Sequence, residues 1–276
     1  MSTSSRSFRV GWVVVALATV VFGARMARAN DPAADAALKE ATAKVDELDK
    51  QIKKHLASTD TDDALRADIT AASKLCGELA DAKLKSRCLD LIGQILKGTT
   101  HDDLERDAIK AFSAIGNPDA GRFLLVYLKQ NGPKDQPPLM ADAIECAGKI
   151  KSDATVPALI LIVEKSDVLP LAAASVKALS NFGTSTRMRE KILDALIATV
   201  EKDRPGLSYR WRGDQDNRVR TDKIRSGEDA TNRYEALAGE MCTCLNKMTG
   251  QNVGAPEEWF ELRKKWKSDL GHLFVN

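Results

Sequence analysis

The residue types that carry most enzyme chemistry are sparse in this chain. Three histidines, His55, His101 and His272, lie far apart, and none has a second histidine at the spacing that holds a metal on a helix. There is no His-Glu-x-x-His, phosphate-loop or Gly-x-Ser-x-Gly pattern. His101 precedes Asp102 and Asp103, but the helix dipole alone favours acidic residues in the first turn of a helix, so this group does not indicate a metal site. We therefore expect no catalytic residue, no metal site and no cofactor.

A second group of chemically capable residues lies in a predicted insertion at residues 203–230. Seven cations and three acids fall within residues 204–225, together with two aromatic residues. Guanidinium groups beside aromatic rings bind carboxylates or sulfates through paired hydrogen bonds, and these residue types are enriched in interface hot spots. The alternative is a structural loop whose aromatic rings pack on helices and whose arginines pair with acidic helix faces. The candidate partner-binding residues are Tyr209, Arg210, Trp211, Arg212, Arg218 and Arg220.

The five cysteines fit burial better than zinc or redox chemistry. Cys242 and Cys244 are two apart on a predicted helix, hence on roughly opposite faces, and this spacing fits neither a zinc knuckle nor a Cys-x-x-Cys pair. Cys76 and Cys88 lie on either side of a predicted turn near Ala82, where a disulfide could bridge a helical hairpin in an exported protein. The alternative is two small buried residues on apolar helix faces.

Residues 1–29 have the pattern of a secretory signal peptide. Arg6 and Arg9 precede an apolar run at residues 10–22, and Ala27-Arg28-Ala29 forms an Ala-x-Ala cleavage site. The run is about 13 residues long, whereas a spanning helix needs about 20, so we expect cleavage rather than a stable membrane anchor. The predicted localisation is therefore exported, either periplasmic or extracellular.

Removal of this segment changes the charge of the chain. The segment carries four arginines and no acid, so 37 basic and 39 acidic residues remain. A protein that binds nucleic acid needs a basic face to neutralise phosphates, and the mature chain has no general excess of basic residues. Nucleic acid is therefore not an expected partner.

The elements that would position these residues are repeated helices. A phrase of apolar residues recurs every 32 to 35 residues, beginning at Ala108, Ala143 and Ser175. A period of this length predicts pairs of antiparallel helices that must stack side by side to bury their apolar faces. Aromatic residues are only 5% of the chain, as expected where small side chains let helices approach closely. The predicted fold class is all-α.

The repeat pattern divides the mature chain into four parts. Residues 30–99 contain a heptad-like helix and a helical hairpin, and residues 100–202 contain three helix pairs that open on a predicted capping box at Thr100 to Asp103. Residues 203–230 are the insertion, and residues 231–276 form a capping repeat whose last helix begins at Pro256. The heptad-like helix is expected to pack on the hairpin, and the alternative is a dimerising helix.

Three features of the helix pairs point to a known architecture: the Asp-Ala-Ile phrase at residues 107 and 142, short turns containing Gly, Asn or Asp, and Pro157 at the start of a second helix. With these features the chain resembles the HEAT-repeat family of α-solenoids over residues 100–270. The motif at residues 249–259 is similar to the C-terminal end of exported bacterial HEAT-repeat proteins. The resemblance implies a right-handed α-solenoid of HEAT-like antiparallel helix pairs.

The resemblance also implies a non-catalytic scaffold that mediates protein–protein interaction. The expected docking faces are those of the second helices of each pair, with the insertion as a specificity element. One alternative is an envelope protein that binds an anionic polymer or glycan through the insertion, and steep salt dependence of binding would distinguish it. Another alternative is an accessory subunit of an enzyme complex.

Overall fold

The computed structural model describes residues 32–58, 61–130, 137–183, 186–205 and 227–268. These ranges contain eleven α-helices, in agreement with the helical periodicity of the sequence. Every regular element in these ranges is helical, which confirms the all-α class. The helices are α1 Pro32–Leu56, α2 Asp62–Glu78, α3 Ala82–Gly98, α4 Asp102–Ile115, α5 Gly121–Gln130, α6 Pro137–Ile150, α7 Val156–Lys165, α8 Leu169–Leu179, α9 Thr186–Lys202, α10 Gly227–Thr249 and α11 Pro256–Ser268. Short 3₁₀ turns at Pro118–Ala120, Asp153–Thr155 and Ser180–Phe182 flank α5, α7 and α8.

The helices alternate between two layers. The first layer contains α2, α4, α6, α8 and α10, and each of these helices packs on the next. The second layer contains α1, α3, α5, α7, α9 and α11, which also follow one another side by side. Consecutive helices such as α2 and α3, or α7 and α8, pack across the layers. This stacking of neighbours is compatible with an α-solenoid.

The repeated apolar phrase forms the seam between the layers. Ile109 and Phe112 of α4, Ile144 of α6 and Val176 of α8 are all buried, in one continuous core. Positions three or four apart lie on one face of a helix, so a repeated spacing places the same face inward in each helix. In the last helix Trp259 is fully buried and closes this end of the core.

Two of the glycines allow close packing between helices. A Cβ atom on Gly93 of α3 would lie 2.3 Å from the ring of Phe123, which stacks on Phe112 with ring centroids 5.5 Å apart. A Cβ atom on Gly148 of α6 would lie 3.0 Å from the Cα atom of Ala178 in α8. The small residues thus let a ring or a neighbouring helix approach the backbone.

The ends of two helices differ from the sequence prediction. The predicted capping box is wrong: α4 has His101 at its N-cap, with no side-chain cap hydrogen bond, and Thr99 Oγ1 accepts the His101 N–H at 3.1 Å. The physical reason is that the His101 side chain pairs instead with Asp62 on α2, a contact between helices that a local motif cannot show. Helix α10 begins at Gly227, four residues before the boundary predicted at 231.

The heptad-like helix packs on the hairpin, as predicted. Val45, Leu48 and Ile52 of α1 are buried against α2 and α3. Toward the start of α1 the same stripe reaches Leu38, which is 45% exposed. A dimerising role for this helix stays a prediction. Within the described ranges, no helix combines the length and the apolar character needed to cross a lipid bilayer.

Candidate functional site

The predicted partner-binding residues of the insertion lie outside the described residues. The described chain reaches Pro205 after α9 and resumes at Gly227 with α10. The predicted signal peptide at residues 1–29 also lies outside the described ranges. The structure therefore shows the base of the insertion, formed by the end of α9, the first turns of α10 and the neighbouring α11. The predicted partner-binding residues that lie outside the described ranges are Tyr209, Arg210, Trp211, Arg212, Arg218 and Arg220.

A buried ion pair lies at the base of the insertion. Arg233 of α10 has a side chain that is only 1% exposed, and its Nε lies 2.8 Å from Oδ2 of Asp203, whose side chain is 6% exposed. The same guanidinium donates from Nη1 to the carbonyl oxygen of Ser166, just after α7. Asp203 directly follows α9, so this pair links the end of α9 to α10, and the hydrogen bond to Ser166 links α10 to the end of α7. Sequence reasoning missed this residue because an arginine on a helix usually signals a solvated face.

A polar cluster surrounds the base on its outer side. Arg204 Cζ lies 5.8 Å from the ring centroid of Phe260, and its Nε lies 3.9 Å from Oε1 of Glu257. Tyr234 donates its hydroxyl to the same Glu257 oxygen at 2.8 Å. Burial, followed by the hydrogen bond to Glu257, raises the pKa of Tyr234 to about 12, while that hydrogen bond lowers the pKa of Glu257. Of the insertion's cations, Arg204 therefore behaves as the structural alternative describes: it pairs with a helix acid.

The first three helices of the first layer share a ladder of arginines and aspartates. Arg66 of α2 contacts Asp63 one turn earlier and Asp107 of α4, at 3.2 and 2.9 Å. Arg106 of α4 repeats this with Asp103 and with Asp142 of α6, at 3.3 and 3.1 Å. Each partner occupies a matching place along the next helix, so the pairs hold these helices parallel and in register. The repeated Asp-x-x-Arg spacing was the sequence signal for this ladder.

The second layer is linked in a similar way. Arg87 of α3 pairs with Asp46 of α1 at 2.6 Å. Arg122 of α5 pairs with Asp90 of α3 at 2.7 Å and also contacts the Ser86 hydroxyl. These side chains are about half exposed, where a single pair contributes about 0–1 kcal/mol. Their effect is therefore to select the alignment of neighbouring helices rather than to supply most of the stability.

The described histidines have carboxylate partners within the stack. His55 of α1 contacts Asp68 of α2 through Nδ1 at 2.6 Å, and His101 contacts Asp62 at the same distance. Both pairs link neighbouring helices. Among the residues that the structure describes, no group of three or more His, Cys, Asp or Glu side chains could hold a metal ion.

All five cysteines are buried free thiols in this structure. Burial raises the pKa of Cys88 to about 11, with a smaller contribution from nearby Cys76. Cys76 Sγ lies 3.9 Å from the carbonyl oxygen of Lys85, on the same face of α3 as Cys88. A disulfide between Cys76 and Cys88 in an oxidising compartment stays a prediction. Cys146 donates to the carbonyl oxygen of Ile109 at 3.3 Å, in a structural contact between α6 and α4.

The fold and these contacts define a two-layered helical stack with a polar, anchored insertion base. Comparison with known proteins adds no family: no family model matches the chain, and no curated protein matches it. Among solved structures, the chain is similar to a protein from a work titled "Computational Design of Self-Assembling Cyclic Protein Homooligomers", with 14% sequence identity. The match covers 84% of this chain and 92% of that chain, with a TM-score of 0.26. A TM-score of this size carries no argument about fold or function.

Proposed function

We propose that this protein is a non-catalytic, exported HEAT-type scaffold, a right-handed α-solenoid that binds another protein and uses the insertion at residues 203–230 as its recognition element. The observation that carries the proposal is the buried pair of Arg233 and Asp203 at the base of the insertion. It joins α9 and α10, the two helices between which the insertion lies in the chain.

The energetics of the buried pair support a specific role for the base. Removing two charges from water costs several kcal/mol per ion, and apolar residues of similar volume often give equal or greater stability. The pair of Asp203 and Arg233 therefore contributes less to the stability of the fold than to a defined arrangement of α9 and α10. The pair sets the distance between the two ends of the insertion and their position relative to α7. Both are useful when the insertion must meet a partner in one orientation.

The composition of the insertion indicates the kind of contact. Arginine, tyrosine and tryptophan are the residues that dominate the binding energy of protein interfaces, and they are concentrated here in a chain with few aromatic residues. The faces of the second-layer helices would extend the interface, and Leu161 of α7 is 46% exposed on one of them. Export follows from the predicted signal peptide, which would bring the mature chain to a partner in the cell envelope.

The test is quantitative capture of partners by the mature protein from envelope fractions. One variant replaces residues 206–226 with a Gly/Ser linker of equal length, which keeps Asp203 and Arg233 in place. The matched control carries Glu258→Gln and Lys265→Gln, two exposed residues of α11 away from the stack's interior. We expect loss of one reproducible protein partner in the insertion variant only. Equal capture by all three proteins would show that the insertion is not the recognition element.

The same proteins test the anionic-polymer alternative. Binding to heparin or polyphosphate would fall steeply with salt, because it depends on screened charges. Arg210→Ala with Arg212→Ala would then abolish it. Protein capture that persists at about 0.3 M salt, where the Debye length is only about 5–6 Å, contradicts the polymer as the main ligand.

A further inference from the structure

The outward face of the second layer carries apolar residues at one level of three neighbouring helices. Val126 of α5, Leu161 of α7 and Ala198 of α9 are each flanked along their helix by buried residues on both sides, so they occupy equivalent outward places. Leu161 is 46% exposed, and Pro157, one turn before it, is exposed as well. Because α5, α7 and α9 lie side by side, these four residues form one apolar strip, the outer row.

The charged residues around the outer row have mixed signs. Arg122 of α5 pairs with Asp90 of α3 at 2.7 Å, and Asp194 of α9 pairs with Arg263 of α11 at 2.8 Å. Acids and bases alternate on the other flank as well, so the surroundings favour neither a cationic nor an anionic partner. An apolar segment is the occupant that gains free energy by covering the row. The flanking residues include Arg122, Lys129, Glu164, Lys165, Asp194 and Lys202.

Helix α11 runs in the opposite direction to α9, on which it packs. Arg204, just after the end of α9, lies 3.9 Å from Glu257 in the first turn of α11. Arg263, further along α11, pairs with residues earlier in α9, Glu201 at 3.0 Å and Asp194 at 2.8 Å. The C-terminal end of α11 therefore points back along α9, toward the level at which α7 begins.

The chain that follows α11 has the composition and the length to reach the outer row. Residues 269–276 lie outside the described ranges and read Asp-Leu-Gly-His-Leu-Phe-Val-Asn, without a lysine or an arginine. Two steps between packed helices, from α11 across α9 to α7, cover about 16–20 Å, and an extended chain advances about 3.3 Å per residue. Leu273 and Phe274 are the fifth and sixth residues after Ser268, so they can arrive at α7. Ala195 and Ala198 leave room for a chain to cross α9.

We propose that the C-terminal tail, residues 269–276, docks on the outer row of its own chain, with Leu273 and Phe274 against Pro157 and Leu161. The apolar tail fits between the mixed charges better than the insertion, which is rich in cations. The inference goes beyond the proposed function, because the contact lies within one chain and needs no partner. A partner that binds this part of the second layer would first have to displace the tail.

The test places a photo-crosslinking residue in the outer row of the mature protein, as Leu161→p-benzoylphenylalanine. Trypsin cleaves after Lys267, so residues 268–276 are released as one peptide that mass spectrometry identifies. The matched control carries the same probe at Gln94, the equivalent outward place on α3. Gln94 lies four helix steps from α11, at least about 32 Å, which exceeds the reach of about 26–29 Å of an eight-residue tail. We expect crosslinks to the tail peptide from position 161 in the monomeric protein, and none from position 94.

Two variants of the tail test the apolar contact without changing the described fold. Leu273→Ser with Phe274→Ser should lower the crosslinking yield from position 161 by about tenfold, because burial of these two side chains holds the tail in place. Leu270→Ser is the matched control. Leu270 follows Ser268 by two residues, about 7 Å of chain, so it cannot reach α7 and the yield should change by less than about twofold.

Other occupants of the outer row would give different crosslinks. A tail peptide linked to position 161 only in a covalent dimer would show that a second copy supplies the tail, and a link to residues 206–226 would show that the insertion lies there. Either result would overturn the proposal, as would equal yields from positions 161 and 94 or no tail crosslink at all. Because no partner takes part, such a failure would leave the scaffold function standing, and partner capture tests that function separately.

Discussion

Removal of the carboxylate from the buried pair at the insertion base should be strongly destabilising. In Asp203→Ala the Arg233 guanidinium keeps its hydrogen bond to the Ser166 carbonyl oxygen but loses the charge that lies 2.8 Å from its Nε. Because the arginine side chain is 1% exposed, water cannot replace the carboxylate without opening the junction of α9 and α10. Breaking a buried pair in this way costs about 3–5 kcal/mol.

The size of the effect can be placed on a measurable scale. For a chain of this length a loss of 1 kcal/mol lowers the melting temperature by roughly 2–4 °C, so Asp203→Ala should lower it by roughly 6–20 °C. Arg204→Ala is the matched control, because that neighbouring arginine is exposed and its partner Glu257 lies 3.9 Å away. The control should cost no more than about 1 kcal/mol.

The double variant Asp203→Leu with Arg233→Met decides the physical reason. Replacing both charges with apolar side chains of similar volume should recover most of the loss, because no buried charge is left unpaired. The assay is urea unfolding followed by far-UV circular dichroism, with the free energy of unfolding obtained for each member of the cycle. Two results would refute the reasoning. One is a loss below about 1 kcal/mol in Asp203→Ala. The other is a double variant that loses as much stability as the single variants Asp203→Leu and Arg233→Met added together.

Three further predictions concern the packed interior, and all are read from unfolding curves. Gly93→Ala should lower the free energy of unfolding by about 1–3 kcal/mol, because the added Cβ would lie 2.3 Å from the Phe123 ring. Gly77→Ala is the control: its added Cβ would meet open space, so the free energy of unfolding should rise by up to about 1 kcal/mol. Equal effects of the two substitutions would contradict the close approach at Gly93. Ser175→Ala should be neutral or stabilising by up to about 1 kcal/mol, since the buried Ser175 hydroxyl has no hydrogen-bond partner among the described residues; a clear loss of stability would show a hidden partner. Burial raises the pKa of Cys146 from 9.0 to about 12, so the thiol loses its proton at a lower pH in the unfolded chain than in the folded one. The contribution of this thiol to the free energy of unfolding is therefore complete below pH 9 and is lost between about pH 9 and 12. Cys146→Ala should flatten that alkaline decline by on the order of 1 kcal/mol at pH 10, and an unchanged slope would contradict the assignment.

The helices themselves were largely readable from the sequence. The third helix pair was predicted to end at residue 202, and α9 ends at Lys202; the last described helix begins at Pro256, as predicted. These predictions succeeded because capping residues and apolar spacing are local signals. The capping box failed because His101 is held by Asp62 of another helix, at a distance of 2.6 Å. A local motif cannot include a partner 39 residues away.

The candidate site was less readable. The arginine-rich composition of the insertion led us to predict a binding element there, but its base depends on Arg233, whose burial has no signal in its own segment. The ladder from Arg66 to Asp142 did have a signal, the repeated Asp-x-x-Arg spacing, although its partners become evident only when the neighbouring helices are known.

The sequence by itself determined that the chain forms stacked helices, because burial of an apolar stripe every 3.6 residues is a property of each segment and its repetition. Only the tertiary structure decided which charges meet and which arginine is buried away from water. Those outcomes depend on the register between helices, and register is set by all the packing contacts of the stack together. Neighbouring residues in the sequence therefore specify where a helix forms, whereas contacts between helices determine whether a charged side chain is paired, buried or exposed.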